Sequence, residues 1–318
     1  MNSPVKLQEL KNIINYEFDY FICSASYEER CLGIPKNIAE CNINNIAIFC
    51  NNDFIAHYNE NEKKIVSFFP ESKCCIINLN TKHPAPNALV ILNFFDGITD
   101  IEKKKFFIDT TTFTHESLLV LYKVISLRKI PIENVLYSYL NASNYSTNEI
   151  DLDKKWLSKG IGEIRNVIGY SGFMNPLKKN HLIVLVGIEL ERTKSLIDKI
   201  EPNSLSLGVS YDHCSKSPAA IELNKTKHTE LCDKYLDSES FEFTVLAPKP
   251  VTEKLAEISA KHSDCNIIIA AMNNKISTIG AGSFANTNPA VQISYATALQ
   301  YNIQGYTEPG EDCYLFSA

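Results

Sequence analysis

Residues 22–32 read ICSASYEERCL, and residues 184–194 read VLVGIELERTK. In both stretches an apolar run breaks at a small residue, and Glu-Arg follows within a few positions. Such a run is typical of a strand that is buried on both faces and leads into a helix. The repeated stretch therefore predicts one strand-to-helix connection that is used twice in this chain.

The first half of the chain alternates short apolar runs with amphipathic stretches. The runs are rich in Ile, Val, Phe and Tyr, which favours strands buried in a mostly parallel, doubly wound sheet. The five predicted strands are YFICS (20–24), NIAIFC (45–50), CCIINLN (74–80), FFIDT (106–110) and NVLYSYL (134–140). The four predicted helices cover residues 27–41, 58–69, 87–98 and 114–128.

The second half repeats this plan, with predicted strands at LIVLVG (182–187), LSLGVS (205–210), FEFTVLA (241–247), CNIIIAA (265–271) and AVQISYA (290–296). Ser24 and Val186, at the ends of the two first strands, lie 162 positions apart, and so do Asp109 and Ala271. This constant offset predicts an internal duplication. The fold class expected is α/β, with two tandem Rossmann-like halves.

Three segments follow from this pattern. We expect a first Rossmann-like domain over residues 1–150 and a second over residues 181–318. Residues 151–180 contain several glycines, lysines and Pro176, which predicts a connector that packs onto a neighbouring surface.

The length, composition and net charge of the chain restrict the classes of protein to which it can belong. The chain has 318 residues, of which 45% are hydrophobic and 21% charged, as in ordinary globular proteins. A net charge of −6 argues against an extended nucleic-acid surface. No apolar run reaches the roughly 20 residues of a membrane span, so a cytoplasmic protein is expected. The ten cysteines form no CxxC and no zinc-type spacing, which predicts buried free thiols.

Ligands of doubly wound sheets bind at the carboxyl ends of the strands. After the first strand stand Ser24, Ser26, Glu29 and Arg30. The fourth strand leads into DTTTFTHES (109–117), which contains the other candidates of this half, Asp109, Thr111 and His115.

The corresponding places in the second half hold Glu191, Arg192, Asn273 and Lys275. The two arginines and Lys275 would supply positive charge to an anion, while Ser24, Thr111 and Asn273 would supply hydrogen bonds. Backbone N–H groups at the helix starts would favour a phosphate or a carboxylate.

Each candidate also has a purely structural interpretation. Ser26 and Glu29 fit the S-x-x-E capping box of a helix start. Arg30 and Arg192 would then be left for an ion pair within each half, or for an ion pair between the halves. A cap does not explain the second copy, because Ile188 stands where Ser26 stands.

Asp109 would act as a base or metal ligand, assisted by Glu29 or His115, or would form an Asx turn with Thr114 as the helix cap. The stretch GAGSFA (280–285) matches a dinucleotide fingerprint in letters only, because it does not directly follow a strand. Asp212-His213-Cys214 resembles a catalytic trio only by composition.

The alternating pattern of both halves resembles the CARF domains, Rossmann-like nucleotide sensors of bacterial defence. The resemblance is one of architecture and carries no specific motif. It implies a nucleotide or a nucleotide-like anion as ligand, in a sensor or effector subunit of antiviral defence. A nucleotide hydrolase or glycosidase is the first alternative. The second is an interaction subunit without a small ligand, whose partner is another protein or a second copy of the chain. The residues indicate no particular cofactor and no metal.

Overall fold

The computed structural model describes residues 3–14, 18–51, 55–80, 82–146, 155–214 and 218–318. It confirms the predicted α/β class, with one seven-stranded and one six-stranded sheet, both mostly parallel and flanked by helices. No helix in these ranges is long and apolar enough to cross a membrane.

The strands are β1 (Val5–Lys6), β2 (Tyr20–Ala25), β3 (Asn45–Asn51), β4 (Lys73–Leu79), β5 (Phe106–Asp109), β6 (Val135–Tyr145), β7 (Ser158–Ser171), β8 (Asn180–Leu185), β9 (Ser204–Ser210), β10 (Glu239–Phe243), β11 (Asn266–Ala271), β12 (Gln292–Tyr301) and β13 (Thr307–Phe316). The helices are α1 (Leu10–Ile13), α2 (Arg30–Asn37), α3 (Ile55–Phe68), α4 (Pro84–Asp96), α5 (His115–Leu127), α6 (Leu190–Ile200), α7 (Pro218–Lys234), α8 (Pro248–Lys261) and α9 (Lys275–Thr287).

Unit 1 contains residues 1–144 and 307–318. Its strands lie in the order β1-β13-β6-β5-β2-β3-β4. The pairs β2–β3, β2–β5, β3–β4 and β5–β6 are parallel, with Tyr20 opposite both Asn45 and Phe106. Strand order reverses between β2 and β5, so the carboxyl ends of these two strands form the topological switch point.

Unit 2 contains residues 145–306, with strands in the order β10-β9-β8-β11-β12-β7. The order of β8 to β12 reproduces that of β2 to β6, and its switch point lies between β8 and β11. All ten predicted strands are present within a few residues of their expected bounds. The repeated order is the architecture that the internal duplication predicts.

The two units divide the chain differently from the predicted domains. β7 lies within the stretch expected to be a connector, and it pairs antiparallel with β12. β13 belongs by sequence to the second half, yet it lies beside β6 in the sheet of unit 1. The halves of the sequence have therefore exchanged their last strands.

The contacts of the exchanged strands are equivalent. The Asn141 Oδ1 atom on β6 accepts a hydrogen bond of 3.1 Å from the backbone N–H of Asp312 on β13. The Thr297 Oγ1 atom on β12 accepts one of 2.8 Å from the backbone N–H of Glu163 on β7. A glycine stands against each of these polar side chains, Gly310 in unit 1 and Gly162 in unit 2.

The two cores are chemically different. Unit 1 has an aromatic core in which the Phe107 ring lies 5.4 Å from Phe18 and 5.5 Å from Phe21, measured between ring centroids. The core of unit 2 is aliphatic, with Leu182, Val184 and Leu207 fully buried. The shared strand order therefore does not depend on a particular set of core side chains.

The ten cysteines are free thiols, as expected, but not all are buried. Cys23, Cys31 and Cys50 lie in the core of unit 1, whereas Cys75 on β4 is exposed. Burial raises the pKa of the Cys31 thiol to about 12. Cys31 therefore stays protonated and inert inside the fold.

Candidate functional site: two buried arginine clusters

Arg30 begins α2 and is only 4% exposed. Its guanidinium forms an ion pair with Glu28, in which the Nη2 atom lies 2.6 Å from Oε2. The Nε–H group donates to Thr307 Oγ1 at 3.0 Å, and Nη1 donates to the Leu140 carbonyl at 3.2 Å. The Thr307 hydroxyl in turn donates to Glu28 at 2.8 Å. The Arg30 cluster thus joins the start of α2 to β6 and β13.

Arg192 lies in the first turn of α6 and is 3% exposed. The Nη1 atom lies 2.6 Å from the Glu189 carboxylate. The Nε–H group donates to the Ala296 carbonyl on β12 at 3.1 Å, and the Ser158 hydroxyl on β7 donates to Glu189. The Arg192 cluster therefore repeats the Arg30 cluster, part for part.

A tyrosine lies beside each arginine. The Arg30 guanidinium carbon is 6.0 Å from the ring centroid of Tyr139, and that of Arg192 is 5.6 Å from Tyr295. Each tyrosine directly precedes the residue whose carbonyl accepts from the arginine. These distances allow a cation–π attraction, which strengthens when the groups are removed from water.

The exchanged strands supply the hydroxyl group of each cluster. Thr307 is the first residue of β13, and Ser158 is the first residue of β7. Each hydroxyl donates to the carboxylate that neutralises the arginine. The clusters therefore fasten the exchanged strands to the sheets that receive them.

The electrostatics of the Arg192 cluster favour the charged form of the guanidinium. Burial is the largest single influence and by itself lowers the pKa of Arg192. The Glu189 carboxylate and the hydroxyls of Tyr295, Tyr301 and Tyr306 together outweigh it, so the net shift of the pKa is upward. Removing one partner of such a pair leaves an uncompensated charge in a low-dielectric interior. Within each unit, these guanidinium groups therefore act first as structural charges.

The ion pairs do not use the glutamates adjacent to the arginines in sequence. Glu29 and Glu191 are both exposed, and Glu191 accepts a long 3.4 Å bond from the Gly160 N–H. The predicted capping box is wrong, because α2 begins at Arg30 and no side chain caps it. Ser26 Oγ accepts instead from the N–H of Glu28 at 3.3 Å. This turn directs Glu28 toward Arg30.

Asp109 ends β5 and is 2% exposed. Its Oδ1 atom accepts from the Thr111 N–H at 3.0 Å and from the Thr111 hydroxyl, as in an Asx turn. Burial raises the pKa of Asp109 to about 6, while the two bonds from Thr111 and the charge of Arg30 oppose the rise. Thr111 Oγ1 accepts from the Leu140 N–H at 2.9 Å. Leu140 therefore connects Asp109 and Thr111 to the Arg30 cluster.

In both units, hydrogen bonds join the two strand ends at the switch point. In unit 1 the Thr112 hydroxyl donates to the Ser24 carbonyl at 2.7 Å. In unit 2 the Asn273 side-chain amide donates to the Val186 carbonyl. A Cβ atom at Gly187 would lie 2.1 Å from the Met272 carbonyl oxygen, which shows how closely the two loops approach. The side chains of Thr112 and Asn273 therefore hold the strand ends together, through the backbone carbonyls of Ser24 and Val186.

The helix starts beside the switch points are capped by their own side chains. Thr114 Oγ1 accepts from the Ser117 N–H at 3.1 Å, which confirms Thr114 as the cap of α5. Asn274 caps α9 in the same way, through the Ser277 N–H at 2.9 Å. His115 and Lys275, the first residues of these helices, are partly exposed. Of the candidate residues in the second half, Lys275 has the charge and the exposure that an anion contact needs.

Two stretches that resemble functional motifs only in their letters have structural roles. GAGSFA (280–285) lies inside α9, where Gly280 allows close contact with α8, and the Gly280 carbonyl accepts from the Thr252 hydroxyl at 2.9 Å. Both carboxylate oxygens of Asp212 are used, one by the Thr244 hydroxyl at 2.6 Å and the other by the Val245 N–H at 2.8 Å. Neither motif forms a catalytic arrangement through these contacts.

The structure thus joins Arg30, Asp109 and Thr111 in unit 1 and places Arg192 and Asn273 in separate networks of unit 2. The sequence placed Glu28 and Glu189 near the strand ends but did not identify them as partners of the arginines, and it did not indicate Ser158 or Thr307. Glu28 precedes its arginine by two residues and Glu189 by three, so a constant offset does not align them. One feature of the sequence could have indicated these partners, because each arginine is preceded by a second glutamate two or three residues before it.

A pocket of about 350 Å³ lies elsewhere in unit 1. Its residues precede β2, β3 and β5, at the amino ends of the strands, and none of the predicted site residues belongs to it. They are Phe18, Asp19, Asn42, Asn44, Lys103 and Lys105.

Comparison with protein-family models and with curated proteins finds no match. Among solved structures, one similarity is to a chain described as the adenylation, ketoreductase and pseudo-Asub multidomain structure of a keto acid-selecting NRPS module. The identity is 12% and the TM-score 0.19, and the match covers 80% of this chain but 26% of the other. The present chain thus spans about a quarter of that protein's length, and a similarity this weak supports no inference about function.

Proposed function

We propose that this protein is a protein-interaction subunit and that it does not bind a nucleotide. The observation that carries the proposal is the burial of both arginines in ion pairs. Arg30 and Arg192 each donate N–H groups to a carboxylate, a hydroxyl and a carbonyl of their own unit. An anion would have to displace these buried partners, which is costly.

An exposed loop in unit 2 supports the same proposal. Phe173 is 75% and Leu177 is 94% exposed, so both apolar side chains face solvent. The loop is nonetheless well anchored, because the Asn175 N–H donates to Asn266 Oδ1 at 2.8 Å and the Asn266 amide donates back to the Asn175 carbonyl at 2.9 Å. Exposed apolar groups on an ordered loop are typical of protein-binding sites.

The nucleotide-sensor and hydrolase hypotheses remain predictions, and each now depends on fewer residues. A nucleotide site would rest on Lys275, the first residue of α9 in unit 2. A hydrolase would need Asp109, which is buried against Thr111, to reach a substrate.

The proposal is tested first by calorimetry against a panel of mononucleotides, NAD and cyclic oligonucleotides. We expect no saturable heat with the wild-type chain. Saturable binding that Lys275→Ala weakens at least tenfold would overturn the proposal in favour of a nucleotide-binding protein. Turnover of a labelled nucleotide that Asp109→Asn abolishes would overturn it in favour of a hydrolase.

The interaction itself is tested by affinity capture with mass spectrometry, using paired variants. Phe173→Ser combined with Leu177→Ser should lose a partner that the wild-type chain captures. Leu236→Ser, which changes another apolar residue of unit 2 that is 85% exposed, is the matched control and should keep it. Equal capture by all three proteins would show that the loop binds no partner.

A further inference from the structure

The two sheets end in quasi-equivalent edge strands of different character. β4 is the last strand of the seven-stranded sheet, and β10 is the last strand of the six-stranded sheet. β4 has the sequence KCCIINL, with one charge in seven residues. β10 has the sequence ESFEF, with two charges in five residues. Only β10 therefore has the short length and the charges that protect a sheet edge from pairing with another strand.

Within the part of the chain that the structure describes, the backbone groups of β4 without a hydrogen-bond partner belong to three residues. The Lys73 N–H donates to the Asn44 carbonyl at 2.8 Å, on the side of β3. Because backbone groups alternate in direction along a strand, those of Cys74, Ile76 and Asn78 then point away from β3. Asn80 would continue this row, but Asn87 accepts from its N–H at 2.8 Å and donates to its carbonyl at 2.7 Å. The fold thus satisfies the outward groups at Asn80 and ends the row there.

Apolar side chains are exposed on β4 and on the helix that packs against it. Ile76 is 37% exposed. On α4, which packs against β4, Leu89 is 58% and Val90 is 37% exposed. An apolar strand edge beside an apolar helix surface is suited to a second strand with apolar neighbours.

We propose that β4 pairs antiparallel with β4 of a second copy of this chain, about a twofold axis at Ile76. This inference rests on the proposed function, because it names one partner of the interaction subunit. In this register Ile76 faces its own copy and Cys74 faces Asn78, so the three outward-facing residues pair with one another.

The charge pattern of β4 fits a second copy of the chain as the partner. Lys73 is the sole charged residue of β4, and in this register it faces Leu79 of the second copy. No like charges therefore meet across the pair, which removes the usual penalty against self-pairing. The contact is isologous and closes at two subunits, because each β4 edge is used once.

Sedimentation equilibrium over a range of concentrations tests the proposal. The wild-type chain should reach twice its monomer mass of 35.8 kDa. Ile76→Lys, which places two like charges on the axis, should remain monomeric and folded by circular dichroism. Ser240→Lys places the same charge on the quasi-equivalent edge β10 and should still dimerise. A monomeric wild-type chain at every concentration, or an Ile76→Lys variant that dimerises like wild type, would overturn the proposal.

Cross-linking tests the register independently of the mass. In a background with Cys75→Ser, Ile76→Cys places two thiols on the twofold axis, about 5.5 Å apart between Cα atoms, which a disulfide can span. Oxidation with diamide should yield a covalent dimer, whereas Ser240→Cys in the same background should not. A dimer that forms equally with Ser240→Cys, or no dimer with Ile76→Cys, contradicts the register.

These measurements separate the inference from the proposed function. Nucleotide binding in the calorimetric panel would overturn the proposed function and leave the β4 dimer unaffected. A chain that stays monomeric and binds no nucleotide would overturn the β4 pairing alone.

Discussion

The Arg30 cluster of unit 1 and the Arg192 cluster of unit 2 have the same five parts, but the residue that supplies the hydroxyl and the spacing of the glutamate differ. Each contains an arginine, a glutamate, a hydroxyl, a strand carbonyl and a tyrosine. The hydroxyl is Thr307 in one and Ser158 in the other, and the glutamate lies two residues before Arg30 but three before Arg192. The arrangement, more than any residue spacing, is what the two units share.

The two units differ in the residue that ends the strand next to the first strand of the repeat. Unit 1 buries Asp109 at the end of β5, where unit 2 has Ala271 at the end of β11. Asp109 accepts a hydrogen bond from Thr111, whose hydroxyl oxygen in turn accepts one from the Leu140 N–H on β6. The carboxylate is therefore an addition to one unit, and the shared fold does not require it.

The largest effect is expected from breaking either ion pair. Arg30→Met leaves the Glu28 carboxylate buried without a counterion, which should lower the free energy of unfolding by about 3–5 kcal/mol. Arg192→Met should cost a similar amount through Glu189. Urea denaturation measures both. Fluorescence of Trp156, the sole tryptophan, reports on unit 2, and hydrogen exchange reports on unit 1.

The matched control removes both charges. Glu28→Gln combined with Arg30→Met should recover at least half of the loss, because no isolated charge remains. A loss below about 1 kcal/mol for either arginine, as is usual for exposed pairs, would show that the clusters are not equivalent structural pairs.

The next effect is a pH dependence that only unit 1 should show. The pKa of Asp109 is raised to about 6 in the fold, above the ordinary value of about 3.9. The folded state therefore holds a proton that the unfolded chain releases. The stability from this group is fully present below about pH 4 and is lost as the pH rises to about 6. Asp109→Asn stays neutral, so at pH 7 it should exceed wild type by up to about 3 kcal/mol.

Urea titrations at pH 4, 5, 6 and 7 measure this difference. Ala271→Asp should introduce the same downward slope into unit 2, because it buries a carboxyl at the equivalent place. Parallel stability profiles for wild type and Asp109→Asn would mean that Asp109 ionises as freely in the fold as in the unfolded chain.

The smallest effect concerns the exchanged strands. A Cβ atom at Gly310 would lie 1.9 Å from Asn141 Oδ1, and one at Gly162 would lie 2.4 Å from Thr297 Oγ1. Gly310→Ala and Gly162→Ala should therefore each destabilise the protein by about 1–3 kcal/mol, as is typical of overpacking.

Double-mutant cycles sharpen this comparison. Asn141→Ala should relieve Gly310→Ala, and Thr297→Ala should relieve Gly162→Ala, because each removes the obstructing side chain. Strictly additive free energies of unfolding in both cycles would contradict the equivalence of β7 and β13.

The predicted bounds of the strands agree with the structure because an apolar run is a property of neighbouring residues. Runs such as residues 45–50 are apolar throughout, as a strand covered on both faces must be. β7 was missed because its sequence, SKGIGEIRNVIGYS, has three glycines and is mostly polar. It forms a strand because β12 offers it a partner, and no property of its own residues reveals that partner.

The site shows the same contrast. Thr114 was identified as a cap because a cap uses neighbouring residues, and the structure confirms it. The partners of Arg30 were not identified, because Thr307 lies 277 positions away and Leu140 lies 110 positions away. The capping box failed because α2 starts four residues after Ser26 and not directly beside it.

By itself, the sequence determined the α/β class, the strand-helix alternation and the duplication, because hydrophobic periodicity records which faces are buried. Only the tertiary structure decided that the halves exchange their last strands. It also decided that Glu28 and Glu189, and not the adjacent Glu29 and Glu191, form the ion pairs with the arginines. Hydrogen bonds and ion pairs between distant residues depend on how elements meet in space, and a linear pattern does not record that meeting.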